Sequence, residues 1–273
     1  MGQRLLTAAV VIPVILAFIW VGTLPFFIVA AVILMIAQWE FYGIAASPQI
    51  SPHKGICLSA GFLILASAYL RPSNMLLSSQ KGIPALVLTL SLAALLVGHL
   101  FGKNIRYFIE SLGVSMAGIF MIPWLGSYFI LLRDIAPYGR EYFLLMIGGV
   151  WIVDTAAYIV GSKYGKKKLA KTISPNKTAL GFIAGVIAGV AFAFIWHLVA
   201  KLEFINTLDL VVMGLIIGIS SQIGDLIESM VKRAGLVKDS GLMFPGHGGA
   251  YDRIDSLLTA APCLYYYIVI FIR

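Results

Sequence analysis

Charge is scarce in this chain: Asp, Glu, Lys and Arg make up 12% of its 273 residues, against about 25% in globular domains. A water-soluble fold of this length is thereby excluded, because most side chains must face lipid or other buried helices. Cysteine is scarce too. Cys57 and Cys263 both lie in apolar segments without metal-site spacing, which excludes a disulfide scaffold and reads as buried, inert thiols. No A-x-A-like cleavage site follows the first apolar run, so that run is expected to be a retained helix rather than a signal peptide. Period-two alternation of apolar and polar residues is missing as well, which excludes a transmembrane barrel.

What is present is apolar: 60% of the residues are hydrophobic. They fall in runs of about 17–25 residues, the length a helix needs to cross a bilayer. With no water in the hydrocarbon, a helix is the remaining way to satisfy the backbone. The expected fold is therefore all-α, a polytopic helical membrane protein with about nine transmembrane helices. The spans are placed near 5–20, 23–38, 56–70, 84–101, 107–132, 142–161, 180–199, 208–230 and 256–272. Residues 1–103 are expected to form N-terminal, lipid-facing helices. Residues 104–273 are expected to carry the catalytic loops, all within one integral membrane unit.

The net charge of +8 is explained by loop bias and anionic headgroups, and no nucleic-acid partner is expected. Most of the 20 Lys and Arg residues fall on the side of the N-terminus: Arg4, Lys54, Lys103, Arg106, the lysines between 163 and 177, Lys232, Arg233, Lys238 and Arg253. The positive-inside rule puts that side in the cytoplasm. Gly181, Gly185 and Gly189 repeat every four residues, as do Gly214 and Gly218. Small residues at this spacing let helices approach closely, which suits tight packing around a site and would also suit a homodimer.

Polar chemistry concentrates after residue 140, in the segments 162–179 and 231–255. Asp225 and Glu228, three apart, share one helical face. A charge at the bilayer centre costs at least about 2.5–3.5 kcal/mol, so such carboxylates face a partner, a cation or water, or else snorkel from a helix end. Asp252 and Asp255 are also three apart. They either cap the last helix against its macrodipole or join Asp225 and Asp239 opposite Lys232, Arg233, Lys238 and Arg253. Hard carboxylate oxygens suit Mg²⁺, which binds through one or two carboxylates plus substrate phosphates. The nearby cations suit phosphate. That combination favours nucleotidyl or phosphoryl transfer. His247, between Gly246 and Gly248, is a candidate phosphate ligand, base or turn-former. Asp154 either pairs with a basic residue or shapes the polar pocket. Ser174 to Thr178 gathers hydroxyls, an amide and an amine beside a helix start.

Two runs with fixed gaps carry a resemblance. Ser229-x-x-Lys232-Arg233-x4-Lys238-Asp239 is followed by Pro245-Gly246-His247-Gly248-Gly249-x-x-Asp252-Arg253-x-Asp255. Together with Asp154-x-x-Ala157-Tyr158 and Ser174-Pro175-x-Lys177-Thr178, they resemble the pattern of the phosphatidate cytidylyltransferases (CDP-diacylglycerol synthases). The pattern's aromatic and glutamate after Ser-Pro-x-Lys-Thr are here Ala179 and Leu180. The resemblance implies attack by a phosphatidate oxygen on the α-phosphorus of CTP in the membrane. It implies Mg²⁺, with room for a second cation, on Asp225, Asp252 and Asp255. Catalytic roles are expected for Asp225, Lys232, Arg233, Lys238, Asp239, His247, Asp252, Arg253 and Asp255. Substrate contacts are expected from Asp154, Ser174, Lys177, Thr178, Ser229, Gly248 and Gly249. The rival reading is a cation-coupled transporter, since intramembrane acids and Gly-rich helices also mark ion pathways.

Overall fold

A computed structural model describes residues 13–70, 82–101, 105–202, 204–241, 243 and 248–272. Among these, seven helices are long and apolar enough to cross a membrane: α1 (Thr23–Ala45), α3 (Gly82–Leu100), α4 (Ile105–Arg133), α5 (Gly139–Tyr164), α6 (Ala179–Ala200), α7 (Thr207–Ala234) and α8 (Tyr251–Ile272). Helix α2 (Lys54–Tyr69), with 16 residues, is shorter. Residues 13–21 are also helical, and the rest of the span placed at 5–20 lies outside the described residues. The polytopic helical membrane fold expected from composition is thus present, but the count of nine crossings is not reached among the described residues. At 1.5 Å per residue the 26 residues of α5 extend about 39 Å, enough to cross about 30 Å of hydrocarbon at a tilt. The departure from all-α is a small antiparallel hairpin, β1 (Lys168–Ala170) with β2 (Ser174–Thr178), in which Lys168 faces Thr178 and Ala170 faces Ser174. Too short and too polar to show a strand pattern, it lies inside the basic loop.

Contacts divide the chain into two compact units. The first comprises residues 1–136 and 231–253. Its core joins α1, α2 and α4 through Leu34, Tyr42, Cys57, Leu65 and Ile122, all essentially inaccessible to solvent. The Tyr42 hydroxyl donates to the Ser115 carbonyl at 2.8 Å, and Gln38 Nε2 donates to the Cys57 carbonyl at 3.0 Å. Helix α4 contains a π turn over Phe120–Trp124 with Pro123 inside it. Proline supplies no N–H, and a π turn is where a transmembrane helix absorbs that loss.

The second unit comprises residues 137–230 and 254–273. Its glycine repeats are spent on helix packing. A Cβ on Gly189 would lie 2.9 Å from the Gly214 carbonyl, and one on Gly218 would lie 2.8 Å from Val186 Cα. Helices α6 and α7 therefore approach backbone to backbone, so the small-residue spacing is accounted for within the chain. The outer face of α6 shows Ile183, Ile187, Ile195 and Leu198 exposed, as a lipid-facing helix requires.

Candidate active site

In the second unit, the carboxylates of Asp225 and Glu228 on α7 and Asp255 on α8 converge, with one oxygen from each lying within 4.8 Å of the others. The i, i+3 spacing puts the first two on one face of α7. Gly224 allows α8 to come alongside, because a Cβ there would overlap Thr259 Oγ1 and sit 2.6 Å from the Asp255 carbonyl. Thr259 Oγ1 donates to the Ser220 carbonyl at 2.7 Å and closes this contact. Lys177, at the end of β2, places its Nζ 2.6 Å from Asp225 Oδ2. Asp154 on α5 is an electrostatic neighbour of both Asp225 and Lys177. Two like charges about 5 Å apart repel by roughly 3 kcal/mol at an effective dielectric near 20. Asp225, Glu228, Asp255 and Asp154, with Lys177 beside them, thus form a carboxylate-rich group. Glu228 is 1% exposed; its spacing pairs it with Asp225, and the sequence motifs alone do not assign it a ligand role.

The hairpin aims Lys177 at this group and leaves Lys163, Lys166, Lys167, Lys168 and Lys171 exposed. Ser174 is half-buried and its neighbours Pro175 and Asn176 are exposed. Thr178 is different. It is 4% exposed, and its Oγ1 accepts from Gly181 N at 3.1 Å as the N-cap of α6. Gly161 lacks a side chain where a Cβ would meet that oxygen at 2.9 Å, and a Cβ on Gly165 would overlap it. The Gly161 and Gly165 pair therefore seats a helix cap.

In the first unit, the residues after α7 fold around Asp252. Asp252 Oδ1 pairs with Lys232 Nζ at 2.7 Å, with side-chain exposures of 6% and 14%. Asp252 Oδ2 accepts from Ser240 N at 2.8 Å, Ser240 Oγ at 2.9 Å and Gly249 N at 2.8 Å. This is a capping carboxylate and an ion-pair partner at once. Gly248 adopts φ +82, the left-handed conformation that favours glycine, and turns the chain into the first turn of α8. Arg233 donates to the Val237 carbonyl at 3.3 Å. Arg233, Lys238, Asp239 and Arg253 are exposed, and Ser229 in the second unit is half-buried. His247, with Pro245 and Gly246, lies outside the described residues.

A residue that the motifs did not single out joins this second group. Glu40 Oε1 accepts from Ala250 N at 3.1 Å, and Glu40 Oε2 accepts from Tyr251 N at 2.9 Å and from Ser240 Oγ at 2.9 Å. The signal that could have found it is plain: Glu40 is the one charged residue in the 23-residue α1, and an acid in a membrane span is a functional candidate by default.

Residues 2–271 match the model of the cytidylyltransferase family. The chain is 35% identical over 272 residues to a phosphatidate cytidylyltransferase of Bacillus subtilis, covering 99% of this chain and 98% of that protein. It is 34% identical over 273 residues to a phosphatidate cytidylyltransferase of Brucella suis, covering 98% and 93% respectively. It is 31% identical over 268 residues to a phosphatidate cytidylyltransferase of Staphylococcus aureus, covering 97% of each.

Proposed function

The chain belongs to the cytidylyltransferase family, and on that premise we propose that it is an integral membrane enzyme of phospholipid biosynthesis, transferring CMP from CTP to phosphatidate. A phosphatidate phosphate oxygen forms the new bond to the α-phosphorus of CTP. The bond from that phosphorus to the β-phosphate bridging oxygen breaks, leaving CDP-diacylglycerol and pyrophosphate. The observation that carries this reading is the convergence of Asp225, Glu228 and Asp255 beside Lys177 on apolar helices. The cation-coupled transporter reading gains no support from the family or its relatives.

Three hard carboxylates with oxygens within 4.8 Å fit a divalent cation, for which we propose Mg²⁺ on Asp225 and Asp255, with Glu228 completing the set. When bound, such an ion neutralises charge on the triphosphate and on the leaving pyrophosphate. The chain's own residues do the rest by positioning and electrostatics. Lys177 holds Asp225 in place while free and offers its ammonium to a phosphate oxygen on nucleotide binding. Asp154 keeps local potential negative around Lys177. Lys232 is held by Asp252 at a fixed geometry, and Arg233, Lys238 and Arg253 supply exposed cations for the triphosphate or the lipid phosphate. The bias of Lys and Arg along the chain supports a cytoplasmic site for CTP, in a prokaryotic cell membrane.

Purified protein in detergent should release pyrophosphate only when CTP, phosphatidate and Mg²⁺ are all present. Release with CTP alone, or with diacylglycerol in place of phosphatidate, would contradict the reading. Neighbouring residues on the hairpin should separate in kinetics. Thr178→Ala removes a helix cap worth about 1 kcal/mol, so its thermal midpoint falls while the KM for CTP stays within about twofold. Lys177→Met should instead raise that KM by about tenfold, as expected for one charge-assisted phosphate contact of roughly 1.5 kcal/mol.

A further inference from the structure

Resting on the assignment of CMP transfer to this chain, we propose that Glu40 is a positioning residue for the reaction, holding the start of α8 and Ser240 so that Asp252 presents Lys232 correctly. Glu40 sits five residues from the end of an otherwise uncharged apolar helix. Keeping a carboxylate there is costly unless it is paired. Its partners are two of the orphan N–H groups that every helix exposes at its N-terminus, those of Ala250 and Tyr251. A negative charge at that position also opposes the α8 macrodipole. A side chain more than 200 residues away in sequence thus caps the helix that bears Asp252.

Ser240 ties the two carboxylates together. Its Oγ lies 2.9 Å from Glu40 Oε2 and 2.9 Å from Asp252 Oδ2. A hydroxyl has one proton to donate, so the two acids compete for it. Whichever loses relies on its backbone donors: Ala250 and Tyr251 N–H for Glu40, Ser240 and Gly249 N–H for Asp252. The orientation of Asp252, and with it Lys232 at 2.7 Å, is therefore set jointly with Glu40. Two glycines, Gly241 and the motif's Gly249, fit this role. A Cβ on Gly241 would overlap Glu40 Oε1, and a Cβ on Gly249 would overlap Glu40 Oε2 and Ser240 Oγ. Gly249 is buried, so its bareness admits Glu40.

The test compares wild type, Glu40→Gln, Ser240→Ala and the double variant as full-length protein in detergent, following CMP transfer at saturating Mg²⁺. Glutamine keeps the shape, but its amide group turns a donor toward donors. Glu40→Gln should lower kcat by about 10²-fold, the scale of a small misplacement at a reacting centre, with the KM for CTP within threefold of wild type. Ser240→Ala should lower kcat by about tenfold, and the double variant should match Glu40→Gln rather than multiply the two losses. Wild-type kcat in Glu40→Gln, multiplicative losses, or a kcat loss accompanied by a parallel rise in KM and fall in thermal midpoint would each overturn the proposal. Should Glu40→Gln not fold, Ser240→Ala alone decides: a tenfold loss of kcat at unchanged KM supports the proposal, and unchanged kcat overturns it. An inactive wild-type protein would instead contradict the assignment of CMP transfer.

Discussion

Asp225→Asn should reduce kcat by about 10³-fold, and excess Mg²⁺ should not restore it. Asparagine is nearly isosteric, so the helix-packed group around Gly224 and Thr259 stays in place, and the change is one of charge. Two losses coincide. The converging carboxylate group loses one of the three oxygens proposed above to hold the cation, and Lys177 loses the partner that holds it at 2.6 Å. Removing a single preorganised electrostatic group costs about 10²–10³ in kcat, and removing one that both binds and orients falls at the upper end. Measuring kcat across a Mg²⁺ titration separates the alternatives. A variant that recovers wild-type turnover at high Mg²⁺ would show that Asp225 only tunes affinity. A variant already at wild-type turnover under limiting Mg²⁺ would remove Asp225 from the site.

The second large effect is on folding as well as rate. Lys232→Met removes the ammonium from an ion pair whose side chains are 14% and 6% exposed. Removing one partner of a buried pair strands the other charge, at about 3–5 kcal/mol. Here Asp252 keeps the N–H groups of Ser240 and Gly249 and shares the Ser240 hydroxyl with Glu40, which places the loss near the lower figure, about 3 kcal/mol. The thermal midpoint of Lys232→Met should therefore fall well below that of wild type. The double variant Lys232→Met with Asp252→Asn should recover much of the difference while staying inactive. A Lys232→Met protein as stable as wild type would mean that the pair contributes nothing to holding the first unit together.

The apolar runs made the membrane helices legible, because a span of this length leaves the backbone one way to satisfy itself. The spans at 107–132 and 142–161 reappear as α4 and α5 despite Glu110 and Asp154. The Asp225 and Glu228 spacing put both acids on one face, but their convergence with Asp255 also needed the close packing of α8 at Gly224. Thr178 was less legible: a hydroxyl beside a helix start reads equally as a ligand contact or an N-cap, and only Gly161, Gly165 and Gly181 crowding its Oγ1 assign the cap. Glu40 was legible as a lone acid in a span, but what it contacts was not. Its partners lie some 200 residues away, and no local period or motif reports a contact of that range. The same holds for the discontinuous units, in which residues 231–253 join residues 1–136, an association of long range that no local pattern reports.

Transfer of CMP to lipid is tested most directly by the position of the label in CTP. Purified protein is incubated with phosphatidate and Mg²⁺ and with CTP carrying ³²P at either the α- or the γ-phosphate, and the organic phase is counted. α-Label should enter the lipid fraction in proportion to phosphatidate consumed, while γ-label should stay wholly in the aqueous phase as pyrophosphate. Label from the γ-position in lipid would make the enzyme a kinase, and no label in lipid from folded protein would contradict nucleotidyl transfer outright.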